Sequence, residues 1–361
     1  MKVLSVVGTR PNFVKEALIN KEMKRRGIEE VLVHTGQHYD YEMSRVFFQE
    51  LDIPEPDYHL QVSTGLPGRQ TGEIIEAVEK ILIDEKPDVT LVYGDVTSTL
   101  AAALASVKLG IPVAHVEAGV RTMARYNPEE INRRATDTVS ELLLANCEDA
   151  YEELMKENHS GSKIVLTGDI MKDVLLDTVE RFNITVARGD YTLCTLHRAE
   201  NVDDKQNLSA ILRGLADSGK KVVFPVHPRT RKRLDEFDLL KEFGNSQTIE
   251  FTEPRGYLDF VTLLAGANKV VTDSGGVRRE SYILGKPTIV AINLVWFPCL
   301  VKSGWKTVAG PDSKKIADAV RNFEPPQEHP ELLGDGKAYL KIVDEIASYA
   351  HNKMALAGEG G

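Results

Sequence analysis

The chain has few cysteines, and none of them forms a closely spaced pair of the kind found in metal or redox motifs. Cys147, Cys194 and Cys299 lie far apart and are odd in number. This pattern is typical of reduced thiols in the cytoplasm and argues against a disulfide framework. We therefore predict a cytoplasmic protein without a metal site.

Long hydrophobic runs are also absent. No apolar stretch approaches the about 20 residues that a membrane-spanning helix requires. The first residues, MKVLSVVGTRP, contain too short an apolar run for a secretion signal, and we predict that they form a buried strand instead. We expect no association with a membrane.

The sequence lacks an excess of positive charge. Its 44 Lys and Arg residues face 54 Asp and Glu residues, which gives a formal net charge of -10. This balance argues against broad binding of nucleic acid, so an anionic ligand would need local donors. The glycine fingerprint of dinucleotide-binding enzymes and the Walker A loop are both missing, which argues against nicotinamide and nucleoside triphosphate chemistry.

Short apolar runs alternate with amphipathic stretches from one end of the chain to the other. The apolar runs, which predict strands, are residues 3–7, 31–34, 89–93, 113–116, 142–145, 164–166, 191–196, 222–226, 248–251, 270–272 and 288–291. The amphipathic stretches, which predict helices, include residues 71–84, 98–109, 207–217 and 257–265. This alternation predicts an α/β fold with parallel sheets covered by helices on both faces.

The length of the chain suits two domains. The strand pattern restarts after a charged stretch at residues 180–190, and residues 325–336 are rich in Pro, Glu and Gly. We predict an N-terminal domain over 1–170, a C-terminal domain over 171–336, and a final helical segment over 337–361 that returns to the first domain.

Polar residues at strand ends are the candidates for function, because open parallel sheets bind ligands beyond the carboxyl ends of their strands. Asp95 follows the strand at 89–93, and Glu117 follows the next strand. Two carboxylates on neighbouring strands suit general acid and base catalysis. Each alone is better explained as a helix cap or as one partner of a structural ion pair.

Two further segments of the first half carry polar residues at predicted helix starts. Arg10 and Lys15 follow the turn after the first strand and could bind an anion, although an ordinary βα turn also fits. Asn127 is a good N-cap residue before Pro128, so Glu129 has a structural interpretation as a complement to the helix dipole.

The second half has one glycine-rich turn and two histidine-bearing strand ends. Ser274, Gly275 and Gly276 open a helix whose N-terminus could bind a diphosphate, and Glu280 in that helix could accept from ribose hydroxyls. A plain glycine-rich turn is the alternative. His197 with Arg198, and His227, form cationic groups that suit an anionic ligand, although a lone histidine is more often structural.

These segments together resemble the non-hydrolysing UDP-N-acetylglucosamine 2-epimerase family over essentially the whole chain. The motifs are GTRP, YGD, HVEAG, PEE-INR, TLHRAEN, PVHPRT and TDSGG, in this order. The resemblance implies two Rossmann-like domains of the GT-B type with a cleft between them, and a homodimer. It also implies interconversion of UDP-GlcNAc and UDP-ManNAc without an added cofactor, by elimination of UDP to a 2-acetamidoglucal and re-addition.

The resemblance also assigns roles to individual residues. Asp95, Glu117 and Glu129 match the catalytic carboxylates, and His197 matches the histidine that stabilises the departing diphosphate. Substrate contacts fall on Arg10, Lys15, Arg255, Phe260, Ser274, Gly275, Gly276 and Glu280. A partial match to a regulatory site, where some members bind a second UDP-GlcNAc, falls on Gln37, His38 and Arg69.

Some features depart from the family pattern. The motifs HTGQHYD, GDIMKD and TLHRAEN are similar to the subgroup that epimerises UDP-2,3-diacetamido-2,3-dideoxyglucuronate. The loop at residues 292–299 has apolar or neutral residues where the family carries Arg-Asp and Thr-Glu, and Arg278 and Arg279 precede Glu280. A different sugar, a GT-B glycosyltransferase and a catalytically impaired paralog that binds UDP-sugars therefore remain alternatives.

Overall fold

The structure is a computed structural model that describes residues 1–36, 55–62, 65–122 and 126–358, with only the backbone described for Arg10 and for residues 352–358. The chain forms two compact units. The first comprises Met1–Val174 with Leu333–Gly361, and the second comprises Leu175–Leu332. The predicted domain boundaries at residues 170 and 336 stay a prediction. In the structure, the second unit begins within the helix that starts at Ile170 and ends at Leu332.

The first unit is built on one parallel sheet. Its strands are β1 Lys2–Val7, β2 Glu29–His34, β3 Tyr58–His59, β4 Val89–Tyr93, β5 Val113–Ala118, β6 Leu142–Ala145 and β7 Lys163–Leu166. Its helices are α1 Arg10–Arg25, α2 Pro67–Glu85, α3 Thr97–Lys108, α4 Pro128–Val139, α5 Glu148–Glu157, α6 Ile170–Arg181, which runs on into the second unit, and α15 Ala338–Gly358. The strand order is β3-β2-β1-β4-β5-β6-β7.

The core of the first unit follows from its composition. Every residue of β4 and of β6 is buried, as expected for strands with helices on both faces of the sheet. Helix α3 carries alanines at residues 101, 102, 103 and 105, all at 0% exposure. Small side chains allow close packing of this helix.

The second unit repeats the same plan. Its strands are β8 Thr192–Thr195, β9 Val222–Pro225, β10 Ile249–Thr252, β11 Lys269–Thr272, β12 Thr288–Val290 and β13 Lys306–Val308. Its helices are α7 Ala199–Val202, α8 Lys205–Asp217, α9 Pro228–Glu236, α10 Leu239–Phe243, α11 Tyr257–Gly266, α12 Gly275–Ile283, α13 Pro298–Lys302 and α14 Ser313–Asn322. The parallel strands are ordered β10-β9-β8-β11-β12-β13.

The predicted α/β class with two parallel sheets is confirmed. Two strands were not predicted, β3 and β13. Strand β3 has two residues, which is too short for any periodicity, and β13 begins with Lys306, a residue type that normally argues for exposure.

Asp173, on α6, joins this helix to the start of α15. Its Oδ2 accepts a hydrogen bond from the backbone N–H of Tyr339 at 2.8 Å. Burial raises the pKa of Asp173 from 3.8 to about 7, the Tyr339 N–H opposes the rise, and the Asp169 carboxylate adds to it. The folded chain therefore keeps a proton on Asp173 at pH values where the unfolded chain has released it.

We expect this proton to make stability depend on pH. The contribution of Asp173 is full below about pH 4 and is lost as the pH rises through about 7, because only the unfolded chain ionises in that window. Asp173→Asn keeps an acceptor for the N–H of Tyr339 but cannot ionise. Between about pH 4 and pH 7, the free energy of unfolding of this variant should therefore decrease less than that of the wild type, by a difference of about 3 kcal/mol at most. Urea unfolding at both ends of the window measures this, with Asp177→Asn as the control. Equal pH dependence in variant and wild type would contradict it.

Candidate active site

Asp95 lies where the strand order of the first sheet reverses, between β1 and β4, which is the place where such sheets bind ligands. It follows Gly94, whose φ of 64° favours glycine. The Asp95 carboxylate forms an ion pair with Arg133 of α4, and its side chain is 28% exposed. Asn132 donates to the Asp95 carbonyl at 2.9 Å. Asp95 is therefore held in one orientation and remains open to solvent.

Glu117 lies on the adjacent strand in a strained backbone conformation. Its φ is 70°, and the register of β5 against β6 shifts between Val116 and Ala118. Strain of this kind costs about 1–3 kcal/mol per residue and is concentrated at functional sites. The buried Glu117 carboxylate accepts a hydrogen bond from Nζ of Lys15 at 2.5 Å.

The two carboxylate-bearing strand ends meet at Gly94. A Cβ at this position would lie 3.4 Å from both Oε2 of Glu117 and Nζ of Lys15, so glycine allows the close approach. Strands β4 and β5 pair directly, as the strand-end interpretation required. The structure thus brings Lys15, Glu117 and the Asp95 turn together. Lys15, which was predicted to bind an anion, pairs here with the carboxylate of Glu117.

A series of charged side chains, which we call the charge network, connects the two sides of the Asp95 turn. Its members are Arg133, Glu130, Arg134, Glu157, Arg121, Asp137 and His115. At one end Arg133 pairs with Asp95, and at the other Nε2 of His115 lies 2.7 Å from the carbonyl oxygen of Gly94. The network therefore fixes both the carboxylate of Asp95 and the backbone before it.

The deepest part of the charge network is the pair His115 and Asp137, both at 0% exposure with 2.6 Å between Nδ1 and Oδ1. Burial alone would raise the pKa of Asp137, but His115 and Arg121 hold it below its ordinary value. Because the Gly94 carbonyl can only accept, Nε2 of His115 carries a hydrogen. This pair was not predicted from the sequence, although a histidine inside an apolar strand must find a partner and was an available signal.

Glu129 lies in the first turn of α4. Its backbone N–H donates to the side chain of Asn127 at 2.8 Å, which confirms the predicted N-cap. The next residue, Glu130, is 1% exposed and accepts from the backbone and hydroxyl of Thr122. The half-buried Glu129 keeps its catalytic role as a prediction.

In the second unit, Asp273 organises the ends of β8 and β11, the two strands at which the order reverses. It is 0% exposed and accepts from the backbone N–H groups of His197 and Arg198, each at 3.1 Å, and from the amide of Asn201 at 3.1 Å. This holds His197 next to the turn that begins α12. Asp273 was not predicted from the sequence, because a buried acid that binds backbone N–H groups has no distinctive spacing.

Ser274 is the N-cap of α12, where its Oγ accepts from the backbone N–H of Val277 at 3.4 Å. Gly275 and Gly276 form the first turn behind it. The first N–H groups of a helix have no partner within the helix, and the dipole is positive there. The turn can therefore receive an anion, and Glu280 lies buried further along the same helix.

His197 and His227 lie side by side, with ring centroids 5.8 Å apart. Burial lowers the pKa of His197, although Asp273 opposes this, and burial also lowers the pKa of His227. Nδ1 of His227 accepts from the backbone N–H of Arg229 at 3.2 Å, so the neutral ring carries its hydrogen on Nε2. Both rings can donate to an oxyanion.

The remaining predicted residues are placed less informatively. Arg255 is exposed, and Phe260 is half-buried against a core cluster of the second unit. Arg69 is exposed and pairs with Glu73 at 2.7 Å. The side chain of Arg10, and both Gln37 and His38, lie outside the described residues.

Within the described ranges, no three His, Cys, Asp or Glu side chains are grouped as metal ligands. None of the helices there combines the length and the apolar character that crossing a bilayer requires.

Comparisons with known proteins agree over nearly the full length. Residues 21–347 match the family model described as UDP-N-acetylglucosamine 2-epimerase. The chain is 43% identical to a UDP-N-acetylglucosamine 2-epimerase homolog of Methanococcus maripaludis, with 96% of this chain and 99% of the relative covered. It is 37% identical to the UDP-2,3-diacetamido-2,3-dideoxy-D-glucuronate 2-epimerase of Pseudomonas aeruginosa, with 96% and 99% covered.

A solved structure supports the same assignment. The crystal structure of the Methanocaldococcus jannaschii UDP-GlcNAc 2-epimerase in complex with UDP-GlcNAc and UDP matches with a TM-score of 0.87 at 38% identity. The match covers 97% of this chain and 100% of the other. The chain has the GT-B-like α/β fold and belongs to the UDP-N-acetylglucosamine 2-epimerase family.

Proposed function

We propose that the chain interconverts UDP-N-acetylglucosamine and UDP-N-acetylmannosamine without an added cofactor. The observation that carries the proposal is the pair of strand-end carboxylates, Asp95 and Glu117, on the neighbouring strands β4 and β5 beside the point where the first sheet reverses its order. Each is oriented by a cation, Arg133 and Lys15 respectively. An isomerase that removes and returns a proton needs such groups fixed in place.

The chemistry explains why several acids are required. The proton at C2 of the sugar is not adjacent to a carbonyl, so its removal must be coupled to loss of a good leaving group. A base takes this proton, the C1–O bond breaks with its electron pair leaving on UDP, and a C1–C2 double bond forms. Return of UDP to C1 and of a proton to the opposite face of C2 completes the epimerisation. Asp95, Glu117 and Glu129 are the proposed acids and bases.

The second unit is proposed to hold the nucleotide. The N-terminus of α12, at Ser274, Gly275 and Gly276, would bind the diphosphate. His197, with Arg198 and His227, would stabilise the negative charge that develops on departing UDP.

The nucleoside contacts stay as the resemblance implies them. Glu280 would accept from the ribose, and Arg255 and Phe260 would hold the uracil. We also propose that the protein forms a homodimer and is located in the cytoplasm.

A second candidate substrate is UDP-2,3-diacetamido-2,3-dideoxyglucuronate. The 37% identity to the Pseudomonas aeruginosa enzyme favours it, because that relative is named for this sugar. The uncharged loop at residues 292–299 and the adjacent Arg278 also fit a change in the sugar. Both substrates would use the same elimination and re-addition.

The proposal is tested by incubating purified protein with UDP-GlcNAc and identifying the products. Conversion to UDP-ManNAc supports the first substrate. Conversion of the diacetamido-uronate alone would support the second. Release of UDP only when a sugar acceptor is added would favour a glycosyltransferase, and tight UDP binding with no product from either sugar would favour an impaired paralog.

A further inference from the structure

Two buried cations of the second unit have side-chain nitrogens without a hydrogen-bond partner among the described residues. They are Arg278, at its Nε and Nη2, and Lys306, at its Nζ. Arg278 is 1% exposed and Lys306 is 3% exposed. Burial of an incompletely paired charge is costly. Lys306 pairs in register with Thr288, whose Oγ1 lies 2.7 Å from Oγ of Ser281 on α12, the helix that carries Arg278. Two such groups at one helix point to an anion that the described residues do not supply.

The position of Arg278 connects it to the proposed nucleotide site. Its guanidinium centre lies 4.6 Å from the centroid of the Trp296 ring, and that of Arg198 lies 4.8 Å from the same centroid. The Cε3 atom of this ring would lie 3.9 Å from a Cβ at Gly275. The Trp296 ring therefore orients two guanidinium groups beside the N-terminus of α12.

Asp273, an acid that acts on the charge of Arg278, does not form a hydrogen bond with its Nε or Nη2. Asp273 acts on Arg278, but its carboxylate accepts from the backbone of His197 and Arg198 and from Asn201. The loop at residues 292–299 contains no charged residue. Nη1 of Arg278 donates to the carbonyl of Leu294 at 2.8 Å, which fixes the orientation of the guanidinium group. Its Nε and Nη2 have no hydrogen-bond partner among the described residues.

The electrostatics agree with an incomplete site. Burial lowers the pKa of Arg278 to about 9, with Asp273 opposing and Arg198 adding to the effect. Burial, Arg278 and Arg279 lower the pKa of Lys306 well below its ordinary value, with Cys299 opposing. An anion at this place would offset the cost of burying these two charges and the repulsion between them.

We propose that Arg278 and Lys306, with Arg198 stacked on Trp296, form a subsite for one oxyanion of the bound nucleotide sugar. Two sources share this chemistry, the second phosphate of UDP and a carboxylate on the sugar. The inference rests on the proposed function, since it assumes that a UDP-sugar binds at α12. It adds residues outside the strand-end and glycine-turn motifs.

Calorimetric titration of Arg278→Gln tests the subsite with four probes: UMP, UDP, UDP-GlcNAc and UDP-N-acetylglucosaminuronate. A charge-assisted hydrogen bond is lost, so we expect affinity to fall by about tenfold or more for the probe that supplies the oxyanion. Weaker binding of UDP with unchanged UMP assigns the subsite to the second phosphate. Weaker binding of the uronate alone assigns it to a sugar carboxylate. Arg213→Gln, an exposed arginine of the same unit, is the matched control.

A second variant tests whether a loss of affinity in Arg278→Gln comes from a folding defect. Lys306→Met removes a buried ammonium group, so we expect a higher thermal midpoint without ligand and the same loss of affinity as in Arg278→Gln. Unchanged affinity of both variants for all four probes would overturn the subsite. Binding is measured without turnover, so a wild type that binds these probes but forms no product would contradict the proposed function and leave the subsite standing.

Discussion

Asp95→Asn and Glu117→Gln are each expected to lower kcat by roughly a hundredfold to ten-thousandfold, the usual contribution of a general acid or base. The amides keep the shape of the side chains, and their oxygens can still accept from Arg133 and Lys15. They cannot take or return a proton. UDP binding should stay within about tenfold of wild type, because the proposed diphosphate site lies on other residues.

Turnover from product analysis and UDP affinity from calorimetry together measure this effect. Glu76→Gln, which changes an exposed carboxylate on α2, is the control and should leave both quantities unchanged. Loss of folding in Asp95→Asn or Glu117→Gln would support a structural role for the acid instead. Normal turnover in both variants would remove them from the mechanism.

Asp137→Asn is expected to lower the free energy of unfolding by about 3–5 kcal/mol, the usual cost of removing one partner from a buried ion pair. Asp137 is fully buried and faces His115, Arg121 and the backbone N–H of Gly119. Its loss leaves the positive charge of Arg121 without this partner. Because His115 holds the carbonyl of Gly94, kcat should fall as well.

Urea unfolding measures the stability effect of Asp137→Asn. Glu152→Gln, which breaks an exposed pair with Lys156 on α5, is the control and should change stability by less than about 1 kcal/mol. A change in Asp137→Asn no larger than in the control would show that the charge network does not fix the Asp95 turn.

The sequence predicted where the polar strand ends lie but not which side chains pair. The positions of Asp95, Glu117 and Ser274 follow from apolar runs and from the general rule for parallel sheets. The pairing of Lys15 with Glu117 joins residues far apart in sequence, and no periodicity predicts it. No feature of the sequence indicates that Glu117 is a strained residue, because its φ depends on a register shift within the sheet.

Buried charge was the main feature that sequence reasoning could not supply. Arg278 was noticed as a departure from the family motif, but arginines and lysines are normally exposed, so neither it nor Lys306 was expected in the interior. Asp273 and the His115–Asp137 pair were not predicted either. Their roles depend on partners that only the folded chain brings within reach.

Proton NMR of UDP-GlcNAc with the purified protein in D2O tests the central claim most directly. The account predicts new UDP-ManNAc signals and deuterium at C2 of both sugars, because the proton removed in the elimination exchanges with solvent before it is returned. An unchanged spectrum, from protein that is folded and binds UDP, would contradict epimerisation of this substrate.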